Sequence, residues 1–191
     1  MKKAAAIVVG VLVVLGAGWF LFSTYLVSKL DGTGGVTAPQ SDLTAFESEH
    51  MGLAFQYRNA YVATTTHAGS GEREWHVLTL LPEGYVPLQG GEGPPAITVQ
   101  DIPNPEGLSL EQWIKSDARS NWKLAADEGG LGSTTVGGEE ALAYRHGGLY
   151  EFDAVAVAHN GKIYLFEVGW MSAEDKIRAD FAKMLGTVQF I

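Results

Sequence analysis

The sequence predicts an α+β fold, in which a mainly antiparallel β-sheet is flanked by helices and preceded by an N-terminal transmembrane helix. Two long apolar runs joined by Asn160-Gly161 are typical of a β-hairpin. An amphipathic segment with apolar residues at helical spacing follows, beginning near Ile177. The start of the chain, in contrast, is a long uncharged stretch that fits a membrane span. Together these observations predict a membrane-anchored chain whose outer domain combines sheet and helix.

The hairpin is the strongest local signal in the chain. Its two runs are Leu149–His159 and Lys162–Trp170, and Asn-Gly is a preferred pair for a type I′ turn. A two-residue turn fixes the register of the strands. The expected cross-strand pairs are His159 with Lys162, Ala158 with Ile163, Val157 with Tyr164, Ala156 with Leu165, Val155 with Phe166, and Ala154 with Glu167. Both faces are largely apolar, which places the hairpin in the middle of a sheet, and the alanine row would let a helix approach closely.

Shorter runs with strand-like patterns predict the rest of the sheet. These runs are Leu53–Tyr57, Tyr61–Thr65, Glu74–Leu81, Ala96–Asp101, Glu140–Arg145 and Thr187–Ile191. Between two of them, Pro82–Pro95 is rich in proline and glycine, and it is therefore expected to be a long surface loop.

Two helices are expected beside this sheet. Ser109 and Gln112 have the spacing of a capping box, and the helix that they begin should fade near Ser120. Ser172 is the expected N-cap of the second helix, which should end at Gly186. The apolar stripe of this helix consists of Ile177, Phe181, Met184 and Leu185.

The N-terminus predicts a single membrane-spanning helix at residues 1–29. Lys2 and Lys3 precede residues 4–28, which carry no charged side chain, and Lys29 follows. As a helix this segment would extend about 37 Å, enough to cross a hydrocarbon core of about 30 Å. A cleaved signal peptide is the alternative, although its apolar core would be only about 7–15 residues long. The basic residues at the start place the N-terminus in the cytoplasm and the rest of the chain outside the cell membrane.

The remaining chain divides into a linker and one domain. Residues 30–49 contain many Gly, Ser and Thr residues and little apolar periodicity, so they are predicted to be a flexible linker. Residues 50–191 contain all the predicted strands and the two later helices, and they are predicted to form an extracytoplasmic α+β domain.

The acidic balance of this domain limits its binding partners. Of the 13 Lys and Arg residues, Lys2, Lys3 and Lys29 lie in the anchor, whereas all 22 Asp and Glu residues follow it. Nucleic acids and anionic lipids bind clustered Lys and Arg, so this composition argues against both. The chain has no Cys, which excludes disulfides and a lipoprotein anchor. These features are typical of an exported bacterial domain.

Several short motifs occur along the domain in a recognisable order. They are Gly52–Tyr57, Leu108–Ile114, Val136–Ala141, Asn160–Leu165, and the Phe181 helix that runs into Thr187–Phe190. In order and spacing they resemble the PsbP-like family, an α/β/α sandwich, over about residues 50–191. The resemblance implies a non-enzymatic protein that binds other proteins or steadies a membrane assembly. It implies neither a particular partner nor a metal, and this chain differs from the photosynthetic member in its own predicted membrane anchor.

No residue pattern predicts a catalytic, cofactor-binding or metal-binding site. Ser70 near His67 lacks the strand–turn–helix context of a nucleophile elbow. The histidines show neither His-x-His nor His-Glu-x-x-His spacing. Asp101, Asn104 and Glu106 offer oxygen ligands in a short segment, but prolines intervene and too few ligands are present for calcium. The chain is therefore predicted not to be an enzyme and to need no cofactor or metal.

These observations favour a non-catalytic, membrane-tethered extracytoplasmic domain that binds a protein partner or assembles an envelope complex. Its contact surface is expected at the loops Pro82–Pro95 and Asp101–Gly107, because both are shaped by proline and glycine. The alternative is a small-ligand or solute-binding domain, with a cleft between the sheet and the Leu110–Ser120 helix. An enzyme with a site assembled from scattered residues is a third hypothesis.

Overall fold

The computed structural model describes residues 42–85, 93–125 and 130–191. The strands in these ranges are β1 (Leu43–Ser48), β2 (Leu53–Arg58), β3 (Tyr61–Ala68), β4 (Trp75–Pro82), β5 (Ile97–Pro103), β6 (Gly132–Val136), β7 (Glu139–His146), β8 (Glu151–His159), β9 (Lys162–Trp170) and β10 (Gln189–Phe190). The helices are α1 (Leu110–Ser116) and α2 (Lys176–Leu185), with short 3-10 helices at Gly71–Arg73, Ala118–Ser120 and Trp122–Leu124.

The described strands form two antiparallel sheets. The larger sheet has the order β3-β4-β5-β9-β8-β7-β6, and the smaller sheet has the order β1-β2-β10. Each strand pair within them is antiparallel. The predicted mainly antiparallel α+β fold is therefore confirmed for this domain.

The central hairpin of the larger sheet has the predicted register. His159 pairs with Lys162, and the remaining pairs follow as the two-residue turn requires. Asn160 and Gly161 both have positive φ, at 46° and 74°, as a type I′ turn demands. Strands β8 and β9 lie between β7 and β5, which confirms that the hairpin is in the middle of the sheet.

One face of the larger sheet packs against α2 and the smaller sheet. The core residues from the larger sheet include Leu78, Leu80, Val99, Phe166 and Val168, and they meet Leu53 and Phe55 of β2 and Ile177, Phe181 and Met184 of α2. The last three residues belong to the predicted apolar stripe, and all three are buried. The amphipathic pattern of the last helix thus fixes which face of α2 enters the core.

The opposite face of the sheet is covered by α1. Trp113 and Ile114 of α1 are buried in one cluster with Ala154 and Ala156 of β8. Because alanine side chains are short, the helix lies directly over this part of β8, as the alanine row predicted. The capping box of Ser109 and Gln112 is present at the start of α1.

The structure corrects two boundary predictions. Residues Leu43–Ser48 are strand β1 rather than part of a flexible linker, because Phe46 packs on Phe55 of β2 with ring centroids 5.0 Å apart. The N-cap of α2 is Asp175 rather than Ser172. The Asp175 carboxylate accepts hydrogen bonds from the N–H groups of Met171 and Ser172, so those residues form a turn before the helix.

Two further differences concern the segment between the first helix and the central hairpin. Helix α1 ends at Ser116, because the Asp117 side chain accepts the Arg119 N–H and starts a 3-10 helix instead. Strand β6 was not predicted, since its residues Gly132–Thr135 are exposed and show no alternation.

The predicted anchor at residues 1–29 and most of the predicted linker lie outside the described residues. Within the described ranges, neither helix combines the length and apolar character that a membrane crossing requires.

Candidate functional site

Strand β3 is an open edge of the larger sheet. It pairs with β4 on one side and with no described strand on the other. Residues Thr64–His67 are exposed, and Val62 exposes 52% of its surface. An unpaired strand presents free N–H and C=O groups to any chain that lies beside it. We call the outer side of Tyr61–Ala68 the β3 edge.

The hydrogen bonds between β3 and β4 show which backbone groups point outward. The Glu83 N–H donates to the Ala60 carbonyl at 2.8 Å, and the neighbouring residues Tyr61 and Pro82 are paired. In an antiparallel ladder, hydrogen-bonded pairs alternate with non-hydrogen-bonded pairs. The even-numbered residues of β3 therefore bond to β4. The residues that direct their N–H and C=O groups outward are Tyr61, Ala63, Thr65 and His67.

The β3 edge lacks the features that usually protect an exposed strand. It is eight residues long and contains no Asp, Glu, Lys, Arg or Pro. Natural sheets normally block such edges with charged side chains, proline, bulges or very short strands. The other edge strand of this sheet, β6, has five residues and begins at Gly132, so it is a shorter and weaker template.

A buried carboxylate fixes the sheet beside the His67 end of the β3 edge. Asp101 is only 1% exposed, and it accepts hydrogen bonds from the His76 N–H at 2.6 Å and from Lys162 Nζ at 2.8 Å. Its carboxylate also lies 3.1 Å from Nδ1 of His76. The His67 ring packs edge-on against the His76 ring, with centroids 4.6 Å apart. This cluster holds the end of β3 in place against β4.

The Tyr61 end of the β3 edge is held by helix α2. The Tyr61 hydroxyl donates a hydrogen bond to Asp180 at 2.9 Å, and Arg58 lies 3.6 Å from the same carboxylate. Burial, followed by the hydrogen bond to Asp180, raises the pKa of Tyr61 well above its ordinary value. The edge is therefore anchored at both ends while its middle is exposed.

The structure also corrects the predicted contact loops. Asp101–Pro103 belong to β5, and Asp101 is buried, so only residues 104–107 form a turn, in which residues 105–107 are exposed. In that turn, the Asn104 side chain bonds both the N–H and the carbonyl of Leu108. Much of Pro82–Pro95, namely residues 86–92, lies outside the described residues. No group of three potential metal ligands is arranged around one point in the described part of the chain.

A second polar cluster is buried on the face that α1 covers. His146 is 2% exposed, and its Nε2 lies 3.0 Å from the carboxylate of Glu167. The Tyr144 hydroxyl donates to the Ser120 carbonyl at 2.7 Å, and burial followed by the charge of Glu167 raises the pKa of Tyr144. Sequence reasoning missed these contacts because their residues lie on different strands without a recognisable spacing. The cluster is enclosed, so its contribution is to the stability of the sheet.

Among the described residues, apolar side chains fill the space between the larger sheet and α1. The underside of α1 is closed by the buried residues Trp113 and Ile114. A shallow open groove of about 860 Å³ lies outside Leu110, between α1 and strands β6 and β7. A smaller cavity of about 130 Å³ is lined by Trp113, Asp117 and Arg119. Arg119 is already bound to Asp117 at 2.6 Å, so its charge is neutralised there.

Comparisons with known proteins bear on the fold of this domain. No protein-family model matches the chain, and no curated protein sequence matches it significantly. The structure is similar to the solution structure of cyanobacterial PsbP (CyanoP) from Synechocystis sp. PCC 6803, with a TM-score of 0.52. The match covers 85% of this chain and 99% of that chain at 15% sequence identity. The chain has a PsbP-like fold. At this identity, the similarity confirms the fold that the sequence motifs predicted.

Proposed function

We propose that the domain is a non-catalytic protein-binding module that accepts an extended strand of its partner at the β3 edge. The observation that carries the proposal is the row of outward-facing N–H and C=O groups at Tyr61, Ala63, Thr65 and His67. In strand addition, main-chain hydrogen bonds provide the affinity and side chains on alternate positions provide the specificity. The exposed middle of β3 leaves room for such a strand, and both anchored ends keep the edge extended.

The proposal includes the predicted membrane anchor at residues 1–29. That anchor would hold the β3 edge at the outer face of a bacterial cell membrane, where it could take part in an envelope complex. The uncharged residues 4–28 and the lysines before them support this location. The acidic composition supports a protein partner over nucleic acid or anionic lipid.

The closed packing of α1 favours protein binding over the small-ligand alternative. A ligand site normally encloses most of its ligand within a concave pocket. The groove beside Leu110 is broad and open, and the region beneath α1 is filled by Trp113 and Ile114. The β3 edge, in contrast, presents a row of polar backbone groups at the spacing of an extended partner strand.

Site-specific photo-cross-linking from the β3 edge tests this proposal. A photoreactive amino acid at Val62 of the full-length chain would be activated in intact cells, because that side chain is half exposed. A second substitution, Thr65→Pro, removes one outward N–H and leaves the bonds of Thr64 and Thr66 to β4 intact. Thr65→Val is the matched control, since it keeps the N–H and the β-branched shape. The thermal unfolding of each variant would verify that the domain still folds.

The expected result is a discrete cross-linked protein that persists with Thr65→Val and disappears with Thr65→Pro. Loss of the product is expected because proline removes a hydrogen-bond donor and places its ring at the edge. An equally abundant product in the folded Thr65→Pro variant would show that the partner does not bind through this edge. Absence of any product from Val62 would likewise exclude the β3 edge as the binding surface.

A further inference from the structure

We infer that the strand bound at the β3 edge belongs to a second copy of this chain, so that two larger sheets join across a two-fold axis at Thr64. The inference rests on the proposed function, because it identifies the partner of the same edge. Two copies of one strand can pair in an antiparallel manner only around a two-fold axis, and each residue i then lies opposite a residue whose number is fixed by the centre.

The pattern of outward groups selects one centre. With the axis at Thr64, Tyr61 lies opposite His67 of the other copy, and Ala63 lies opposite Thr65. All four outward-facing residues then form hydrogen-bonded pairs, so every free N–H and C=O of both strands is satisfied. A centre at Ala63 would leave His67 without a pair within the strand, and a centre at Thr65 would leave Tyr61 without one. The β3 edge is therefore fully self-complementary in the Thr64 register alone.

The side chains of β3 suit this register. On one face of the joined strands, Thr64 lies opposite Thr64 of the other copy, and Val62 lies opposite Thr66 of the other copy. On the other face, Tyr61 meets His67, which pairs two aromatic rings. Cross-strand pairs of β-branched and aromatic residues stabilise an antiparallel ladder. Since β3 carries no charged residue, the joining strands bring no like charges into direct opposition, although the domain as a whole is acidic.

Cysteine cross-linking tests the register directly, because the natural chain contains no Cys. In the proposed dimer, Thr64 and its copy form a non-hydrogen-bonded pair, with Cα atoms about 4.5 Å apart. This separation falls within the range of about 4.4–6.8 Å that a disulfide spans. Full-length Thr64→Cys protein in native membranes is therefore expected to form a disulfide-linked dimer under mild oxidation. Non-reducing electrophoresis measures the dimer.

Val62 supplies the matched control. In the same register, Val62 lies opposite Thr66, so two copies of Val62→Cys are offset by four residues, or about 13 Å along the strand. Val62→Cys alone should not cross-link, whereas co-expressed Val62→Cys and Thr66→Cys chains should link to each other. Adding Thr65→Pro to Thr64→Cys should abolish the dimer. Equal cross-linking of Thr64→Cys and Val62→Cys would indicate random collision and would overturn the register.

The outcomes separate this inference from the proposed function. Suppose that Val62 photo-cross-links a different protein in a Thr65→Pro-sensitive manner while Thr64→Cys yields no dimer. The β3 edge would then bind proteins, but the partner would not be a second copy. A disulfide between Thr64→Cys and Thr134→Cys chains would instead show head-to-tail pairing of β3 with β6, and it would also overturn the two-fold arrangement. A Thr64→Cys dimer that Thr65→Pro removes supports the inference.

Discussion

Replacing Glu167 tests how the larger sheet tolerates a carboxylate in its interior. Glu167 exposes only 7% of its surface, and His146 Nε2 lies 3.0 Å from its carboxylate. The two residues are on β9 and β7, and the short side chain of Ala154 on the intervening strand leaves space for the contact. The substitutions to compare are Glu167→Ala and Glu167→Gln.

The structure gives the expected size of the two effects. Glu167→Ala removes a hydrogen bond to a charged group, which contributes about 1.5–3 kcal/mol. It also removes one buried methylene group, Cγ, which contributes about 0.8 kcal/mol, because alanine keeps Cβ. The substitution also removes the desolvation cost of the buried charge, which offsets part of this loss. We therefore expect the free energy of unfolding to fall by about 2 kcal/mol. Glu167→Gln keeps an acceptor for His146 and similar volume, so its cost should be about 1 kcal/mol.

Urea unfolding of residues 41–191 at neutral pH measures both values, because this segment forms one compact unit. The slope of free energy against urea should be unchanged, so that the shift in midpoint reports stability alone. Losses below about 0.5 kcal/mol for both variants would refute the reasoning, since ordinary surface substitutions have effects of that size. A double-mutant cycle with His146→Ala would then decide whether the two side chains interact at all.

Two other predictions concern Tyr164, a buried residue of the core, and the alanine row of β8 beneath α1. Burial, followed by the charge of Asp101, raises the pKa of Tyr164 to about 12 from its ordinary 10.0. The contribution of the neutral Tyr164 to stability is therefore full below pH 10 and is lost as the pH rises through 12. Tyr164→Phe should therefore cost about 1–2 kcal/mol at neutral pH and weaken the alkaline loss of stability, as pH-dependent urea unfolding would show. Ala156→Leu should lower the free energy of unfolding by about 1–3 kcal/mol, because the larger side chain overpacks the space beneath α1. Ala158 is exposed on the same face of β8, so Ala158→Leu should change the unfolding temperature little. Equal effects of the two leucines would contradict close packing of the helix.

The sequence predicts this fold best where a short-range rule determines a long-range arrangement. Asn160-Gly161 requires positive φ at both residues, and this one turn sets the register of every pair between β8 and β9. The capping box at Ser109 likewise fixes the start of α1 through contacts within one turn. In both cases the residues that decide the structure are neighbours in the chain, so no knowledge of tertiary contacts is needed.

The sequence fails where distant contacts override weak local patterns. Leu43–Ser48 is mostly exposed, and it forms strand β1 because it pairs with β2 and because Phe46 packs against Phe55. Asp101 lies in a Pro- and Gly-rich segment, and its burial depends on His76 and Lys162, far away in sequence. The β3 edge follows from topology alone. Nothing within Tyr61–Ala68 indicates that β3, rather than another strand, lies at the end of the sheet.

The acidic charge of the domain gives a physical reason why the β3 edge can remain unprotected. Edge strands usually carry local charges that prevent uncontrolled pairing, and β3 carries none. The chain as a whole has a net charge of −9, so two copies repel each other at distances up to the screening length of about 8 Å. This repulsion opposes random approach in all orientations. An arrangement that pairs many backbone groups at once, such as the proposed Thr64-centred register, provides the most hydrogen bonds to offset it. An uncharged edge within an acidic domain therefore favours one specific pairing over indiscriminate association.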